Sequence, residues 1–219
     1  MYTLFNPENK FWIFMGKITD VACMSLLWLI TSLPVITIGA STAAFYSFTM
    51  EAVQDLEGGV WSSYFRAFRE NFKKATVIWL VQVALFIFLA VNLYAAWNLY
   101  LAKGMIAIGL LSLALCGMLV LIGTGMYLYP ILVSYEFPVK KVITDGFVMA
   151  IRNPHVTISC MILFVLASVG IYYISGLFFF WIGLAIFFSS YFVLGVFLKY
   201  SGIKIEKKQK KKKIKDPYI

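Results

Sequence analysis

The feature that most constrains this chain is the length of its apolar runs. Residues 75–101, 105–135, 156–176 and 177–198 each reach the roughly 20 residues that a helix needs to cross the hydrocarbon of a bilayer. A 219-residue chain with 62% hydrophobic and 13% charged residues is not an ordinary soluble domain, since those carry about a quarter charged residues. The pattern predicts an all-α, polytopic membrane helix bundle.

Taken in order, residues 11–33 predict a first helix, with Lys10 and Lys17 at its start and Asp20 further in. The stretch 33–44, Leu-Pro-Val-Ile-Thr-Ile-Gly-Ala-Ser-Thr-Ala-Ala, predicts a tight corner. Pro34 removes a backbone donor and disfavours helix at Leu33. Gly39 can take a positive φ, and Thr37, Ser41 or Thr42 can cap the next helix. That helix, 40–54, would be about 22 Å long, so it spans only if its polar end around Glu51 reaches the far interface; otherwise it re-enters. Trp61, Tyr64, Phe65, Phe68 and Phe72 have the spacing of an amphipathic helix, which predicts an interfacial element over 61–74.

The span 75–101 ends in Tyr94, Trp97 and Tyr100, an interfacial aromatic cluster. In 105–135, Gly109, Ser112, Cys116 and Gly123 form a small-residue stripe suited to close helix contact. A polar connection, 136–155, precedes a final hairpin of 156–176 and 177–198. Lys and Arg of short loops stay on the cytoplasmic side. The basic segments 58–74 and 136–155 and the C-terminal tail therefore predict six spans, with both termini cytoplasmic and the Pro34–Gly39 corner outside. Five spans, with the N-terminus outside, is the alternative.

The organisation is one membrane-embedded domain, 1–198, and a polybasic tail, 199–219. The tail holds nine lysines against Glu206 and Asp216, so seven of the chain's nine net positive charges lie there. Lys207, Lys208, Lys210, Lys211, Lys212 and Lys213 suit an anionic inner leaflet, where each basic residue contributes about 1 kcal/mol. The run lacks interleaved aromatics for base stacking, so nucleic acid is not the expected partner.

Asp20, the turn Ser32-Leu33-Pro34-Val35-Ile36-Thr37-Ile38-Gly39-Ala40 with Ala43 and Ala44, and the segment Tyr64-Phe65-Arg66-Ala67-Phe68-Arg69-Glu70-Asn71-Phe72 together resemble the YesL-like family of bacterial integral membrane proteins. The likeness is sharp between about residues 6 and 80. It implies a multi-pass protein of the bacterial cell membrane. It also implies an accessory role in carbohydrate uptake, with sugar-transporter subunits as partners. The lysine-rich tail departs from the family pattern.

Asp20 would lie roughly 13 Å into its helix, deep enough to need a partner. Lys17, Arg66, Arg69 or Arg152 could supply an ion pair that fixes packing; a solute pathway is the competing reading. Glu51 has the same two readings. Gln82, Asn92, Asn98 and Thr124 are expected to hydrogen-bond between helices rather than line a channel. Pro34, Thr37, Gly39, Arg69, Asn71 and Arg152 complete the candidate functional or packing set.

No catalytic residue, cofactor or metal site is expected. His155, the one histidine, falls across the membrane from Gly39-Ala40-Ser41 in this topology. Cys23, Cys116 and Cys160 read as small packing residues. The expected function is non-catalytic, accessory to a sugar transporter, and the alternative is a small-solute transporter or channel.

Overall fold

The computed structural model describes residues 10–54, 60–101 and 105–201. The tail lysines 207–213 lie outside the described residues. The described chain is all-helical: α1 (Lys10–Ser32), α2 (Ile38–Val53), α3 (Val60–Leu101), α4 (Met105–Ser134), α5 (Val139–Arg152), α6 (Pro154–Tyr173) and α7 (Phe178–Ser201). Short 3-10 turns, Val35–Thr37 and Ser175–Leu177, join α1 to α2 and α6 to α7. Among the described residues, four helices are long and apolar enough to cross a membrane, over Trp61–Tyr100, Ala107–Ser134, Pro154–Tyr173 and Ser175–Tyr200. They mark the chain as membrane-embedded. α1 carries Lys17 and Asp20 within its apolar run, and α2 has 16 residues.

The short helix α2 is the centre of the fold. It packs against α1, α3, α4 and α7 and buries Ala40, Ala43, Ala44, Phe45, Tyr46, Phe48, Thr49 and Met50. Around it gather Val21 and Met24 of α1, Tyr64, Ala75 and Ile78 of α3, Tyr127 and Ile131 of α4, and Phe187, Val193 and Phe197 of α7. Its small residues let four neighbours approach one axis, the packing that a bilayer favours where burial of apolar area brings no gain.

The segment 61–74 forms no separate helix. It is the first third of α3, a continuous helix of 42 residues, about 63 Å long. The reason is local: Val60–Leu101 contains neither glycine nor proline, and Lys73 and Lys74 do not interrupt helical hydrogen bonding. Its inward face is Tyr64, Ala67, Phe68, Asn71, Ala75 and Ile78, whereas Trp61, Phe65 and Phe72 of the expected aromatic face are exposed.

The amphipathic helix lies instead inside the expected polar connection, as α5. Val139, Val142, Ile143, Gly146 and Ala150 share its inward face, and Lys140, Lys141, Thr144 and Arg152 are exposed. Gly146 permits the close approach, because a Cβ there would meet Leu128 Cδ2 at 2.8 Å.

The small-residue stripe of α4 is corrected as well. Ser112 and Cys116 are exposed, and nothing lies within 4 Å of a Cβ built on Gly109. The small residues buried instead are Ala107 and Ala114, and Gly117 packs against Leu89 of α3. Gly123 alone of the stripe makes a helix contact, with Thr157 and Met161 of α6.

The α3–α4 and α6–α7 hairpins meet through Gly123 and Tyr127 against Thr157 and through Tyr135 against Phe197. Leu113 and Leu119 on α4 and Val165 and Leu166 on α6 are exposed above those contacts.

Candidate functional site

The corner between α1 and α2 draws in side chains from three helices. Pro34 stands extended, with φ −75° and ψ 114°, at the start of the 3-10 turn. Its carbonyl accepts from Thr37 N at 2.8 Å and Thr37 Oγ1 at 2.7 Å. Thr37 Oγ1 also lies 2.6 Å from Thr31 O, so its single proton is shared between the two carbonyls. Thr37 therefore closes the corner behind it instead of capping α2 ahead, where no side-chain cap bond forms. From α3, Trp79 Nε1 donates to Val35 O at 2.9 Å. Thr31 Oγ1 donates to Leu27 O at 2.8 Å and pairs with Tyr64 OH at 2.6 Å. A hydroxyl has one proton, so Tyr64 is the donor in that pair. Trp28 Nε1 adds a bond to Thr42 Oγ1 at 3.2 Å.

Gly39 serves this clasp by its lack of a side chain. It sits inside α2, and a Cβ there would lie 2.5 Å from Trp79 Cβ and 2.6 Å from Ala75 O. Close approach of α2 to α3 requires the glycine; the expected positive φ does not occur. The polar groups of the corner face inward, and its outward side chains are apolar: Leu33, Val35 and Ile36 are 74%, 67% and 60% exposed.

A second set of polar contacts ties α2 to α7 and α3 to α4. Tyr46 OH pairs with Ser189 Oγ at 3.3 Å and Thr49 Oγ1 with Ser190 Oγ at 2.8 Å. The Tyr46 ring stacks on Tyr129, with centroids 6.4 Å apart, and Tyr129 OH donates to Gln82 Oε1 at 2.8 Å. Gln82 is expected from the sequence to bond between helices, but its partner Tyr129 is not. The signal was there in Ser189 and Ser190, adjacent hydroxyls inside the apolar run of α7, which call for donors or acceptors on a facing helix.

The other candidates scatter. Asp20 is half-buried on α1. Glu51 is half-buried in the last turn of α2, and Arg69 and Arg152 are exposed on α3 and α5. Asn71 Nδ2 bonds its own helix at Ala67 O, 3.0 Å. Asn92 and Asn98 do likewise, at Phe88 O and Tyr94 O, so neither links helices. Thr124 Oγ1 is buried without a partner.

Ser41 Oγ donates to Thr37 O at 3.0 Å, and His155 is exposed at the start of α6. Cys160 is buried, whereas Cys23 and Cys116 are exposed. Among the described residues no three His, Cys, Asp or Glu side chains gather as a metal site.

The profile of a family described as a protein of unknown function, DUF624, matches residues 21–93. The matched segment runs from the middle of α1 through the corner and α2 into α3, so it contains every residue of the clasp. The chain is similar to an uncharacterised family over this third of its length. No curated protein and no solved structure matches the chain.

Proposed function

We propose that the protein is a non-catalytic component of the bacterial cell membrane that works by associating with another integral membrane protein. A sugar-uptake transporter is the partner class that the family resemblance implies. The observation that carries this reading is how its intramembrane polar side chains are used. Thr31 with Tyr64, Thr49 with Ser190, Tyr46 with Ser189 and Tyr127 with Thr157 each join two helices. A hydroxyl engaged in this way fixes packing and does not present a polar path to a solute. The apolar faces of α4 and α6 around Leu113 and Val165 are left open to a neighbouring helix.

The same proposal gives the chain four spans, α3, α4, α6 and α7, with both termini cytoplasmic. In it α1 and α2 enter and leave from the cytoplasmic face. The corner leans on Ala75 and Trp79, about 7 Å along α3 from Lys74 but about 31 Å from Tyr100. That supports a re-entrant corner over one at the opposite face.

Cross-linking from photoreactive residues at positions 113 and 165 in intact membranes, followed by identification of the attached chains, tests the association. Capture of one transporter subunit at both positions is the expected result. Recovery of the protein alone, together with sugar flux through vesicles containing it as the sole protein, would replace this reading with a transporter or channel.

A further inference from the structure

A groove of about 420 Å³ lies between α3, α4 and α5. Its walls are apolar: Val81, Leu85 and Phe88 on one side, Val120 and Leu121 on the other, with Ile143 and Phe147 of α5 at one end. Leu85, Phe88 and Val120 are also exposed, so the groove opens sideways from two helices that are apolar enough to span a membrane. We infer that it holds one acyl chain of an anionic phospholipid drawn from the bilayer, with the headgroup phosphate at Lys74 and Lys141.

Three observations select this occupant. The first is size. The helices that wall it are already in contact where Leu89 meets Gly117, which leaves too little depth for a partner helix about 10 Å across. A chain one methylene thick fits.

The second is charge. Lys74 Nζ donates to Phe137 O at 3.4 Å, and Lys141 Nζ stands 3.8 Å from the centroid of the Phe137 ring. Both ammonium groups therefore gather at the turn between α4 and α5. They lie four residues before Ile78 and two before Ile143, the groove residues nearest them in sequence.

The third is a free donor. Thr124 Oγ1, among the residues that line the groove, is buried with no hydrogen-bond partner among the described residues. A saturated chain cannot satisfy it, whereas the ester carbonyl of a glycerolipid can.

The test is native mass spectrometry of the full-length protein in mild detergent, titrated with phosphatidylglycerol or with phosphatidylcholine of the same chains. The inference predicts one retained phosphatidylglycerol, bound about tenfold more tightly than phosphatidylcholine. Lys74→Gln with Lys141→Gln abolishes that preference and leaves the weaker binding. Val120→Trp and Leu85→Trp, which fill the groove from opposite walls, each remove the retained lipid; whichever variant elutes as folded monodisperse protein carries the comparison. Equal retention of the two lipids by the unaltered protein would overturn the inference. So would unchanged retention in a folded groove-filled variant, since either result describes lipid held anywhere on the apolar surface.

Discussion

Two 3-10 turns reverse the chain between helices, and they are finished in opposite ways. At Val35–Thr37 the backbone is tied by side chains: Thr37 Oγ1 bonds two carbonyls and Trp79 bonds a third. At Ser175–Leu177 backbone bonds close the turn, Ile174 N to Gly170 O at 2.9 Å and Leu177 N to Ile174 O at 3.2 Å. The surfaces differ in the same sense. Around the first turn the exposed side chains are Leu33, Pro34, Val35 and Ile36, with no aromatic among them; around the second, Ile174, Leu177 and Phe178 are joined by Tyr172 and Tyr173, 84% and 79% exposed. Irregular backbone survives away from water only when protein satisfies its polar groups, and tyrosine favours the membrane–water boundary. The contrast teaches that the first turn is built for an apolar surround and the second for a wet one.

Substitutions at matched positions can break or sharpen this contrast, with stability read by thermal unfolding in detergent. The largest effect is expected at the paired glycines. Gly39→Leu forces α2 off α3 and should cost about 3 kcal/mol or lose the folded protein. Gly176→Leu, with nothing within 4 Å of its Cβ, should change stability by less than about 0.5 kcal/mol. Comparable losses at both would remove the distinction.

Next comes Thr37→Val, which keeps the shape and deletes the bonds to Thr31 O and Pro34 O; about 1–3 kcal/mol is expected. Ser175→Ala at the other turn should be near neutral. Trp79→Phe, leaving Val35 O without its donor, should cost about 1 kcal/mol through the hydrogen bond, with a further loss from packing. The smallest effect is expected for Tyr172→Ala with Tyr173→Ala, within about 0.5 kcal/mol, because both rings stand out from the fold.

Helix boundaries and the corner were legible in the chain because proline, glycine and long apolar runs act locally. The corner at 34–39 and the helices flanking it fall within two residues of expectation, as does α4. What was not legible depended on neighbours. Charge at Lys73 and Lys74 looked like a boundary, but charge does not break a helix, so α3 runs through it. The stripe Gly109, Ser112, Cys116 and Gly123 had a good helical period, yet Ala107, Ala114 and Gly117 have one too, and the register of α3 chose between them. Gly39 was identified for the right position and the wrong reason, since only the path of α3 reveals the contact with Ala75 and Trp79.

Of the candidate site, Pro34, Thr37, Gly39 and Gln82 meet in structured contacts. In the sequence Tyr64 belongs to an aromatic face and Trp79 to a span, because nothing in a single chain says which aromatic turns back toward a hydroxyl 33 residues away or a carbonyl 44 residues away.

The central claim is that the α1–α2 corner ends within the membrane, short of its far face. It is tested by placing a single cysteine at Ile36 or at Gly176, in a chain whose Cys23, Cys116 and Cys160 are replaced, and by treating cells with a membrane-impermeant maleimide. The account predicts that position 176 reacts in intact cells and that position 36 stays unreactive both before and after the membrane is opened. Reaction at position 36 in intact cells, at the rate seen for position 176, would place the corner outside and contradict it.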